Sequence, residues 1–80
     1  MKLDDAIEQV KAKISAVSKG AEMKAVKMSD EEARLTVLAP KTDLQVIKDI
    51  TFRPVLDLLN NYGLDIQVLV YDKDAPPLDV

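Results

Sequence analysis

Residues 64–71 read Leu64-Asp65-Ile66-Gln67-Val68-Leu69-Val70-Tyr71. Successive side chains of an extended chain alternate between faces. Leu64, Ile66, Val68 and Val70 therefore share one side, and Asp65, Gln67, Leu69 and Tyr71 share the other. Branched and aromatic residues at these positions suit a pleated, half-buried strand. A strand with one strongly apolar side needs neighbouring strands and a covering layer.

Upstream of it, Gly63 is placed to end a helix in the left-handed conformation. Val55, Leu56, Leu58, Leu59 and Tyr62 supply that helix with apolar positions at helical spacing. Pro54 costs about 3 kcal/mol in a helix interior but is tolerated in a first turn. A break is therefore predicted between Lys48 and Thr51, with Thr51 capping the restart. Before the break, Leu44 and Ile47 mark a short helix that Thr42 and Gln45 open as a capping box.

Pro40 ends a further alternating run, because it cannot donate to a strand ladder. Ala33, Leu35, Val37 and Ala39 line one side of that run, with Arg34, Thr36 and Leu38 on the other. Residues 21–28 read as its hairpin partner across the polar turn Ser29-Asp30-Glu31-Glu32. Their apolar side changes between Ala25 and Val26, which predicts a bulge or a strand apolar on both faces. Residues 3–18 form the first helix, with Leu3, Ala6, Ile7, Val10, Ile14 and Val17 on one face. Asp5 with Glu8 reads as its capping pair and Gly20 as its terminator.

The predicted fold is thus α+β and two-layered, in the order helix-strand-strand-helix-helix-strand. One three-stranded sheet is covered on one face by the helices. Residues 1–73 make a single domain, and 74–80, with two prolines and two acids, a flexible tail. If the second and third strands run parallel, the crossover between them is right-handed.

The chain has no cysteine and no histidine, which removes thiol chemistry, imidazole acid–base chemistry and the usual zinc ligands. No cofactor or metal is expected. Asp30-Glu31-Glu32 lacks the spaced acids and glycine of a calcium loop and reads as a solvated turn. Asp72-Lys73-Asp74 reads the same way. No spacing converges two carboxylates on one point, so the expectation is a protein without enzymatic activity. The net charge is −3, from 11 basic and 14 acidic residues, which disfavours non-specific phosphate binding. Beyond Arg53 the only basic residue is Lys73, against five aspartates. No stretch approaches the roughly 20 apolar residues of a membrane span. Nothing near the amino terminus reads as a targeting segment, so the cytoplasm is the default location.

From Leu35 to Val70 the order of elements resembles the type II KH domain, an RNA-binding fold. Leu38-Ala39-Pro40 ends a strand, a short helix carries Val46-Ile47, and a four-residue loop leads to the next helix. The family's Val-Ile-Gly-x-x-Gly stretch reads Val46-Ile47-Lys48-Asp49-Ile50-Thr51 here. Both glycines, which let the backbone approach nucleic-acid phosphates, are replaced, and Asp49 repels them. The resemblance implies a weak single-stranded RNA site at Lys41, Lys48, Thr51 and Arg53. The same order resembles the NifU carboxyl-terminal (iron–sulfur scaffold) and BolA domains. The Cys-x-x-Cys pair of the first and the histidine typical of the second are both missing, so no cofactor role carries over.

With the helices over the face of Leu35, Val37, Ile66, Val68 and Val70, the opposite face carries Val26, Met28, Leu38, Leu69 and Tyr71. A wet sheet face is seldom so apolar, and contiguous apolar patches mark interfaces. The function expected from this face is a non-catalytic protein-interaction module, paired with a second copy or a protein partner. Weak RNA binding is the alternative.

Overall fold

The computed structural model describes residues 1–75; residues 76–80, which hold most of the expected tail, lie outside the described residues. The elements are α1 (Leu3–Val17), β1 (Glu22–Lys27), β2 (Glu32–Ala39), a 3₁₀ turn (Lys41–Asp43), α2 (Leu44–Tyr62) and β3 (Asp65–Asp72). The strands form one mixed sheet in the order β1-β2-β3. The β1–β2 hairpin is antiparallel and the β2–β3 pair parallel. The α+β class and the three-stranded sheet agree with the sequence. The order does not match in full, because the two expected helices are one.

α2 runs without interruption through Lys48–Thr51 and keeps Pro54 inside it. The Thr51 hydroxyl does not cap a restart. It donates back to Ile47 O at 2.7 Å, with a longer 3.3 Å contact to Lys48 O. Ile47, Thr51 and Leu58 are buried together along one side of the helix. That shared burial keeps the rod continuous past a proline whose missing N–H costs one backbone bond. At the far end Gly63 has φ 68°, and the Gly63 and Leu64 N–H groups return to the carbonyls of Leu59 and Leu58. Glycine adopts this conformation without the Cβ penalty of other residues.

The other predicted caps are also replaced. α1 starts at Leu3, two residues before Asp5, and no side chain caps it. It ends at Ser18, whose N–H returns to Ile14 O; Gly63 is the only described residue with positive φ, so Gly20 is not a left-handed terminator. α2 begins after Asp43 without a side-chain cap, and Gln45 donates to Asp49 instead of closing a box with Thr42.

Both helices cover the sheet face of Ala33, Leu35, Val37 and Ile66, and their buried sides complete one core with Val10, Ile14 and Ile47. The β1–β2 register is continuous from Glu22↔Leu38 to Lys27↔Ala33, so the change of apolar side at Ala25–Val26 involves no bulge. Met23 and Ala25 pack against the core, while Val26 faces the other way and is exposed.

Candidate functional site

α2 is apolar around more of its circumference than one layer of contacts needs. At 100° per residue, Ile47, Thr51 and Leu58 cluster in a narrow arc directed at the core. Phe52, Leu56 and Leu59 lie roughly a quarter to a half turn further round, on the side nearest β3. A core-facing stripe needs only about 100° of arc. These three side chains are exposed, Phe52 by 68% and Leu59 by 44%. With Val55 they wall a shallow groove of about 280 Å³ whose floor is Val68 and Val70 of β3, with Lys48 at one end.

The groove runs beside an edge strand, since β3 has only β2 as a neighbour. Asp65 N–H donates to Glu31 O at 2.8 Å, and Lys73 N–H to Ala39 O at 2.9 Å. Because direction alternates along a strand, odd-numbered residues of β3 turn their backbone groups to β2. Ile66, Val68 and Val70 turn theirs to the open edge. Unpaired edge backbone is a template for another strand, usually blunted by charge or proline. β1, the opposite edge, carries Glu22, Lys24 and Lys27; β3 carries nothing charged from Ile66 to Tyr71.

The residues expected on the open sheet face divide into two groups. Leu38 pairs with Tyr71, and Leu69 pairs with Thr36 one step along, all partly buried. Val26 lies opposite Arg34, further along the sheet, and Met28 lies just beyond β1 with its N–H on Glu32 O. Both are exposed, and Glu22, Lys24 and Arg34 share their face, so the five do not form one patch. Of the cations and hydroxyl expected at the RNA site, Lys41 lies in the 3₁₀ turn and Lys48 and Arg53 on α2, all exposed. Thr51 is buried, with its hydroxyl bonded inside the helix.

Among the described residues no group of three or more metal-capable side chains converges, and no helix is long and apolar enough to cross a membrane. Sequence reasoning misses the groove because it counts Leu56 and Leu59 with Leu58 as one set of apolar positions at helical spacing. The signal that could have found it is the width of the apolar arc, which from Ile47 to Leu56 takes in about half the helix circumference. Comparison with known proteins finds no match, whether among family models, curated proteins or solved structures.

Proposed function

We propose that this chain is a non-catalytic protein-interaction module. The observation that carries the reading is the groove between α2 and β3: exposed Phe52, Leu56 and Leu59 over Val68 and Val70, beside an uncharged, unpaired strand edge. Apolar walls reward burial at roughly 25 cal/mol per Å², and free edge amides and carbonyls accept an extended segment. A protein chain supplies both. The Leu38, Leu69 and Tyr71 cluster on the open face adds apolar area on the other side of the same edge.

The single-stranded RNA alternative rests on Lys41, Lys48 and Arg53, since the Thr51 hydroxyl is already bonded to Ile47 O. Lys48 shares the groove lining with one aromatic ring, Phe52.

Amide NMR of the labelled chain separates the two readings. Concentration-dependent broadening of the protein alone, or saturable shifts with peptides selected from a display library, is expected at Phe52, Leu56, Leu59, Val68 and Val70. If neither occurs, and a short RNA pool at low salt instead gives saturable shifts at Lys41, Lys48 and Arg53, the module reading is overturned.

A further inference from the structure

The interaction reading leaves the partner open, and the inference that follows rests on it. We infer that the partner is a second copy of this chain, joined by antiparallel pairing of the two β3 edges into a continuous six-stranded sheet.

A twofold axis between paired strands makes them antiparallel and requires a self-complementary surface. The outward backbone groups of β3 belong to even-numbered residues, so only registers that pair even with even satisfy them. Centring the axis on Leu69 does so. Val68 then pairs with Val70 of the second copy in both directions, and Leu69 meets its own equivalent on the open face. At each end Asp65 lies opposite Lys73 of the other copy. Lys73 is the only cation beyond Arg53, and its ammonium makes an exposed 3.3 Å contact with Gly20 O that this pairing replaces. Moving the axis one pair toward the amino terminus, onto Val68, sets Asp65 against Tyr71 and leaves the acids without a counter-charge. Charge complementarity therefore selects the register.

The same pairing covers the groove between α2 and β3. The floor of the groove becomes four valines, with an α2 on each side closing over it. The axis keeps both α2 helices on one face of the joined sheet, so Phe52, Leu56 and Leu59 of one copy face those of the other across that floor.

The test is sedimentation velocity of the full chain from micromolar to millimolar concentration, with three variants. A reversible dimer is expected. Leu56→Glu, on an exposed helix position, should abolish it while the circular dichroism stays native. Lys73→Asp should weaken it about tenfold through like charges at both rims, and Asp65→Lys with Lys73→Asp should recover most of that loss. A dimer indifferent to Leu56→Glu but broken by Leu38→Glu would overturn edge pairing and leave the interaction reading standing. A monomer at every concentration whose groove amides shift with selected peptides would do the same. A monomer that binds neither would sink both.

Discussion

The Ser18 hydroxyl donates to Oδ2 of Asp43 at 2.7 Å, joining the end of α1 to the residue before α2 across 25 positions of sequence. Ser18 is only 3% exposed, so its hydroxyl has little access to water if the carboxylate is removed. Hydrogen bonds to charged acceptors contribute about 1.5–3 kcal/mol, less where the acceptor is partly solvated, as here. Ser18→Ala should therefore cost about 1–2 kcal/mol. Asp43→Ala should cost at least as much, because it strands a buried donor. Urea denaturation of both singles and the double mutant measures the coupling. Additive losses would mean that the contact does not fasten the helices.

Gly63→Ala forces a Cβ into a φ of 68°, although no clash follows, since Glu31 Oε2 would lie at an ordinary contact distance of 3.7 Å. The expected loss is about 1–2 kcal/mol from backbone conformation alone. Asn, which tolerates this region better, should recover part of it. Equal losses for Ala and Asn would point to a steric cause instead of a conformational one.

Gly63 was legible in the sequence because few residue types end a helix this way, and β3 because its alternation has one consistent reading. The unbroken α2 was not. A Thr three residues before a Pro looks locally like a cap and a restart. The difference lies in Ile47 and Leu58, which bury on one side of the same rod against strands distant in sequence. The groove was hidden for a related reason. Periodicity shows that Leu56 and Leu58 are apolar, but only the position of β3 as an edge decides which of them is covered.

Pro54→Ala tests how α2 tolerates its proline. The substitution restores an N–H that can donate to Ile50 O and removes the ring clash with that carbonyl. Part of the gain is offset because proline also restricts the unfolded chain. A net stabilisation of about 1 kcal/mol is expected, read as a higher urea midpoint at unchanged slope. A loss of stability would mean that the packing of Ile47 and Leu58 depends on a bend that Pro54 imposes.

The sharpest contrast lies between two apolar residues of similar size. Leu35 is 0% exposed at the centre of the sheet, paired with Ala25 on one side and Val68 on the other. Leu35→Ala removes buried methyl groups and leaves a cavity, at an expected cost of about 2–5 kcal/mol. Phe52 is 68% exposed on the groove wall, so Phe52→Ser should change the stability of the isolated chain by no more than about 0.5 kcal/mol. Its effect should instead appear in concentration dependence. If two copies pair as proposed, the parent chain should gain stability as concentration rises, because association favours the folded state by mass action, and Phe52→Ser should flatten that dependence. Thermal unfolding of both variants over a range of concentrations reads the two effects separately. A Phe52→Ser chain that loses stability equally at every concentration would place the ring in the fold and not in an interface.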